Sequence, residues 1–196
     1  MNDNGASRSR TEIRIPRTDD LAGIVNVVRA CEPYLTAHIS YMYWMLIRQC
    51  GDTCAVAALG GEIVGWCSIL PGPGGNYFVH QLGVAPKARR HGLAQSLLTH
   101  LVDRLKSKTS RPELEFTVDR RNNAALDLVN AVAAKAGMQL RKMPEPVGLL
   151  ELGSAEDLYV MTPVASRRAD LSSEVANVLW TPTERTEATV TNGLSS

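Results

Sequence analysis

The chain of 196 residues has no excess of charge of either sign: 21 Lys and Arg stand against 20 Asp and Glu, a formal net charge of +1. That balance argues against nucleic acid or an anionic membrane surface as the main partner. Long apolar runs are missing as well. None approaches the roughly 20 residues that span a bilayer, and the opening "MNDNGASRSR" has no apolar core of the kind a secretory signal carries. Cysteine is scarce: Cys31, Cys50, Cys54 and Cys67 sit in apolar contexts without CxxC spacing. This pattern argues against a disulfide framework or a zinc site, no metal is expected, and reduced buried thiols in a cytoplasmic protein are the better reading. Two nucleotide signatures are absent too, the P-loop "GxxxxGK" and the three-glycine dinucleotide fingerprint.

What is present is enough apolar material, 44% of the chain, for one packed domain. Residues 1–10 are small and polar and read as a disordered lead-in; residues 11–163 form the domain; 164–196, rich in Ser, Thr, Arg and Glu, read as a flexible tail holding Trp180. "EIRI" at 12–15 is a strand, and Thr18 with two acids starts a helix that keeps Leu21, Ile24, Val25, Val28 and Cys31 on one face until Pro33. A second helix covers "ISYMYWMLIRQC" up to Gly51. Strands 53–59 and 62–70 form a hairpin around Gly60-Gly61, and "NYFVHQLGV" is the next strand. A helix from Gly92 repeats Leu93, Leu97, Leu98, Leu101, Val102 and Leu105; strand "ELEFTV", a helix ending at Gly137 and two last strands, "MQLRK" and "EDLYVMT", complete the order.

The stretch "QLGVAPKARRHGLAQSLL" turns from strand to helix across Arg89, Arg90, His91 and Gly92. At a helix start several N–H groups lack intrahelical partners and the dipole adds partial positive charge. A glycine lets an anion approach the backbone, so the segment suits a diphosphate. A basic helix start with a capping glycine and no ligand fits the same residues.

These residues, with "NNAALDL" further on, resemble the GNAT superfamily of acyl-CoA-dependent N-acetyltransferases. Its signature of Arg or Gln, two residues, Gly, one residue, Gly or Ala is met by Arg89, Gly92 and Ala94. The resemblance implies an α/β (α+β) fold with a central mixed, mostly antiparallel twisted sheet flanked by helices and splayed between the fourth and fifth strands. It implies acetyl-CoA as co-substrate, held by Leu82, Gly83, Val84, Arg89, Arg90, His91, Gly92, Leu93, Ala94, Asn122 and Ala125, with Leu82 and Val84 pairing with pantetheine like an added strand.

A narrower similarity, to the L-2,4-diaminobutyrate acetyltransferases of ectoine biosynthesis, rests on "LTAHISYMYWML", "TCAVA", "FVHQLGV" and "LEFTV". It implies a small diamino acid as acceptor and a homodimer. The sequence departs from that family's pattern where the acceptor should lie: Thr36 replaces an aspartate, His38 an asparagine and His80 a tryptophan. Thr36, His38, Tyr41, His80 and Glu115 are the expected substrate contacts, with Tyr43 packing instead.

Attack on a thioester needs a neutral amine. His80, placed by strand alternation on the face of Leu82 and Val84, is the expected proton acceptor. Glu115 is the alternative base or the ammonium anchor. Val129 stands where many relatives carry a tyrosine acid, and Tyr159 is the substitute. Acetylation of another small amine, an antibiotic or a protein, and a non-catalytic acyl-CoA sensor, are the competing readings.

Overall fold

A seven-stranded sheet separates two pairs of helices, and its strand order, β1-β2-β3-β4-β5-β7-β6, sets where the chain can open. The computed structural model describes residues 11–144 and 156–164. The chain divides after Val164, and the second unit, Ala165–Ser196, lies outside the described residues, as do the expected lead-in and Trp180.

Strand β1 (Thr11–Arg14) leads through a single 3-10 turn, Thr18–Asp20, into α1 (Leu21–Arg29). The expected start at Thr18 is displaced. Asp20 accepts from the Arg17 backbone N–H at 2.6 Å and pairs with Arg14 at 2.7 Å, so the acid two residues on fixes the turn. Helix α2 spans Ser40–Cys50, β2 Cys54–Leu59 and β3 Glu62–Pro71, with Gly60 and Gly61 both at positive φ between these strands. Strand β4 (Asn76–Val84), α3 (Leu93–Lys108), β5 (Glu113–Asp119), α4 (Asn123–Ala136), β6 (Met138–Lys142) and β7 (Glu156–Pro163) follow.

Periodicity decides which face each helix buries. On α3 the buried residues Leu97, Leu98, Leu101, Val102 and Leu105 recur at three- and four-residue spacing and meet Val64, Cys67, Leu114 and Phe116 of the sheet, together with Val129 and Val132 of α4. Each such aliphatic side chain contributes on the order of 1.5–3 kcal/mol by leaving water. The opposite face is covered by α1 and α2, where Ile24, Val28, Tyr43 and Leu46 pack on Val56 and Trp66. Among the described residues no helix is long and apolar enough to cross a membrane, and no group of His, Cys, Asp and Glu could hold a metal ion.

All strand pairs are antiparallel except β4 and β5, which run parallel. Their pairing covers only Asn76–Phe78 against Glu113–Glu115. Beyond Phe78 the two strands part. The expected mixed sheet, splayed between its fourth and fifth strands, is the one observed.

Candidate active site

The parted strands open a cleft of about 770 Å³, lined on one side by β4 from Phe78 to Val84 and on the other by β5 from Phe116 to Asp119. Its size suits a sizeable small molecule. The turn before α3 and the start of α4 close one end, and the connection between α1 and α2 forms the remaining wall.

At the first end, Gly92 is the N-cap of α3 with φ +70°, and no side chain caps the helix. Arg90 is also left-handed, at φ +66°. Two such residues bracketing His91 turn successive backbone N–H groups toward one side, an anion-receiving curvature that the helix dipole reinforces. A Cβ built on Gly92 meets nothing within 4 Å, so the space above the turn is clear of protein. Arg90, Gly92, Leu93 and Ala94 line the cleft; His91, exposed, does not. Asn122 and Ala125 face it from α4, where the Asn122 Oδ1 accepts from the Ala125 N–H at 3.1 Å and so fixes the helix start.

Arg89 lines the cleft with its guanidinium turned away from a free-standing role. Its Nε donates to the Val84 carbonyl at 3.0 Å and its Nη2 to the Ala30 carbonyl at 3.4 Å. This tether joins the end of β4 to the end of α1. It also modifies the expected pairing with an extended ligand. The Ala85 N–H donates to Val64 on β3, so the backbone groups of the preceding residue point into the gap. There the Val84 carbonyl is taken by Arg89, leaving the Val84 N–H and the Leu82 groups for a ligand.

The wall from α1 to α2 is pressed onto β4. Gln81, buried, donates through Nε2 to the Thr36 carbonyl at 2.9 Å. A Cβ on Gly83 would stand 2.8 Å from Leu35 Cδ1 and 3.0 Å from Cys31 Sγ, so only glycine allows this approach. Tyr43 is fully buried beneath the wall, and its hydroxyl accepts from the His38 N–H at 3.1 Å. It packs, as expected.

Four of the expected site residues are placed differently from the sequence expectation. Tyr41 does not reach the cleft: it is 64% exposed and stacked on Trp44, because the rotation of α2 that buries Tyr43 turns it outward. Glu115 and Tyr159 lie outside the cleft lining; Glu115 sits where β5 is still paired, to Phe78, and Tyr159 stacks on Phe116 at 6.0 Å, on the α4 side. His80 does not share a face with Leu82 and Val84. The β3–β4 register pairs Ser68 with Gln81 and Ile69 with Val79, skipping His80. This bulge turns the imidazole toward the α1–α2 wall, where its Nδ1 lies 3.2 Å from Ser68 Oγ and its ring stacks on His38 at 5.3 Å.

Sequence reasoning passed over Ser68, Tyr34 and Asp119. Ser68 had a signal, being the one polar residue inside the apolar run "IVGWCSIL". Tyr34 and Asp119 acquire their place in the cleft only through the chain path.

With this geometry in place, comparison with known proteins is decisive. The family model for the acetyltransferase (GNAT) family matches residues 21–131. The chain belongs to the GNAT acetyltransferase family. Within it, the GNAT chain is 38% identical to an L-2,4-diaminobutyric acid acetyltransferase of Chromohalobacter salexigens, over 66% of this chain and 68% of that protein. It is 30% identical to the protein of the same name from Nocardia farcinica, over 78% and 80% respectively. Among solved structures it matches diaminobutyrate acetyltransferase from Paenibacillus lautus, in complex with L-2,4-diaminobutyric acid and coenzyme A. There the TM-score is 0.68 at 25% identity, covering 81% of this chain and 98% of that one. A putative acetyltransferase from Salmonella typhimurium shares the GNAT fold at TM-score 0.61 and 16% identity.

Two histidines give the protein a pH response that can be signed. Burial, then the neighbouring His38, pushes the His80 imidazole below its ordinary value; burial and then Arg104 do the same for His100, against a smaller opposing pull from Asp103. Below about pH 6.5 the unfolded chain therefore binds protons that the folded chain rejects, and stability falls with pH through that window. The lowered carboxylates, such as Asp20 held down by Arg14, respond only at more acid pH. Urea midpoints should drop between pH 7 and pH 5.5 in wild type, and drop less when His100 is replaced by asparagine.

Proposed function

We propose that this chain transfers the acetyl group of acetyl-CoA to a primary amine of L-2,4-diaminobutyrate or a close relative among small diamino acids. The observation that carries the reading is the cleft between parted strands, ending on an uncapped helix start. The left-handed Arg90 and Gly92 turn and the free amides of α3 receive the diphosphate. The gap-facing backbone of Leu82 and Val84 lies along the pantetheine, and Asn122 and Ala125 border the same path. Every part of that cradle faces one continuous cavity, which a plain capping glycine does not require.

The reaction demands little covalent help from the chain. The neutral amine nitrogen bonds to the acyl carbon as the carbon–sulfur bond breaks, one N–H proton leaves, and CoA departs as its thiolate or thiol. An alkyl ammonium has a pKa near 10 and a thiol about 8.5, so deprotonating the amine is the harder proton step. Val129, buried at the cleft wall, offers no acid for the departing sulfur. The Val84 N–H, directed into the gap, is placed to donate to the developing oxyanion.

Thr36, in place of a carboxylate, favours an acceptor held differently from the family's pattern, which is why a relative of diaminobutyrate stands beside diaminobutyrate itself. The exposed Ile39, Tyr41 and Trp44 support the homodimer that the resemblance implies. Release of free CoA from acetyl-CoA should be stimulated strongly by diaminobutyrate, and compared across ornithine, lysine, β-lysine and 1,3-diaminopropane. Equal, negligible release with every amine despite acetyl-CoA binding would mark a sensor instead of an enzyme. A preference for the amine without a carboxylate would remove the amino-acid part of the reading.

A further inference from the structure

We propose that Ser68 holds His80 as its Nε2–H tautomer, making the imidazole a neutral hydrogen-bond donor for the acceptor's carboxylate instead of the proton acceptor. The inference rests on the acetyl-transfer reading for its ligand, but not for its tautomer.

The Ser68 hydroxyl has one place to go. Ser68 is fully buried on β3, and among the described residues its Oγ has a single hydrogen-bond partner, the His80 Nδ1 at 3.2 Å. A hydroxyl carries one hydrogen and two lone pairs. If Nδ1–H donated to Oγ, the buried hydroxyl hydrogen would be left without an acceptor, the costlier of the two arrangements. If Oγ–H donates to Nδ1, both groups are satisfied and the ring proton sits on Nε2. That nitrogen makes no hydrogen bond to the protein among the described residues, and the residue lines the cleft.

The neighbourhood decides what the Nε2–H meets. The titratable group acting on the ring is His38, stacked at 5.3 Å with 17° between planes. Burial and the ring stacked on it disfavour a proton on His80, so its neutral form prevails at neutral pH. The wall beside the two rings presents Cys31, Tyr34, Leu35 and Thr36 to the cleft and no carboxylate; the acids that line the cleft, Asp119 and Glu156, stand at the ends of β5 and β7. Such a wall repels no anion and offers no counter-charge to an ammonium. A donor N–H facing it is complemented by a carboxylate oxygen. A base at this place would need a free lone pair on the cleft side, whereas the ring's lone pair lies on Nδ1, where it accepts from the Ser68 hydroxyl.

The test uses the full chain labelled with ¹⁵N-histidine. Long-range ¹H–¹⁵N spectra above pH 7, with His80 assigned by the signals lost in His80→Gln, should show the proton on Nε2. In Ser68→Ala the preference should relax toward a mixture. A wild-type His80 protonated at Nδ1 overturns the proposal whether or not the chain turns over diaminobutyrate. The kinetic arm compares diaminobutyrate with 1,3-diaminopropane, which is the same diamine without the carboxyl group. His80→Ala should lower the ratio of their kcat/KM values about 10- to 100-fold, the loss expected for one hydrogen bond to a charged group. His80→Gln, whose amide N–H stands near the Nε2 position, should recover much of that ratio. Equal losses for both amines, with the acidic limb of the pH–rate profile abolished and no recovery in His80→Gln, are the behaviour of a proton acceptor and overturn the inference. Failure of the acetyl-transfer reading shows separately, as no CoA release with any amine while the tautomer remains readable.

Discussion

Replacing Gly92 by valine abolishes acetyl-CoA binding, with a loss on the order of 100-fold or more in affinity, while the fold survives. Gly92 is left-handed at φ +70°, where a β-branched residue is a conformational outlier. The conformational cost is roughly 1–2 kcal/mol, which a domain of this size tolerates. The functional cost is larger for two reasons. Relaxing that φ swings the N–H groups that open α3 away from their common direction, and any side chain there projects into the space left clear for the anion. Gly92→Ala should fall between wild type and valine. Isothermal titration with acetyl-CoA, with circular dichroism as the folding control, reads both terms. An unchanged dissociation constant in folded Gly92→Val protein removes the phosphate assignment.

Trp66→Ala should destabilise the domain by about 3–5 kcal/mol, the usual cost of emptying a large aromatic site. Trp66 is fully buried on β3, edge-on to Tyr43 with ring centroids 6.4 Å apart, at the centre of the layer beneath α1 and α2. The loss has a second effect. Tyr43 accepts from the His38 N–H, so the cavity opens directly beneath the acceptor wall. The Michaelis constant for the amine should rise more than the affinity for acetyl-CoA falls, since the phosphate turn opens α3, which packs on the other face of the sheet. Urea denaturation with paired kinetics checks the two claims; a variant within 1 kcal/mol of wild type would show that the layer collapses freely around the missing ring.

Much of this architecture is written locally. The α3 repeat of leucines and valine, the Gly60-Gly61 reversal and the turn at Arg89–Gly92 each depend on residues within a few positions of one another, so periodicity and backbone preference suffice. The placement of Tyr43 inside follows from helical spacing for the same reason. His80 shows where such reasoning stops. Strand alternation assigns it a face only if the pairing is regular, and the skipped residue depends on how β3 lies against β4, which no window on β4 contains. Arg89 fails in the same way: it matches the family's signature, yet its guanidinium is committed to carbonyls on β4 and α1, the second of them 59 positions away in sequence. For Tyr41 and Tyr159 neither likeness in sequence nor spacing fixes how α2 is rotated or which way β7 faces, and these turn them elsewhere.

The short pairing of β4 with β5 has a consequence for the protein without its coenzyme. From Val79 onward an interior strand has a neighbour on one side only, and its free N–H and C=O groups form an unguarded edge in the middle of the sheet. In the proposed cradle the nucleotide thioester would take that row as a missing strand would, and the molecule would be finished by its own reactant. Its thermal endurance is then tied to supply of that reactant, gaining about 2.7 kcal/mol at a hundredfold excess over the dissociation constant.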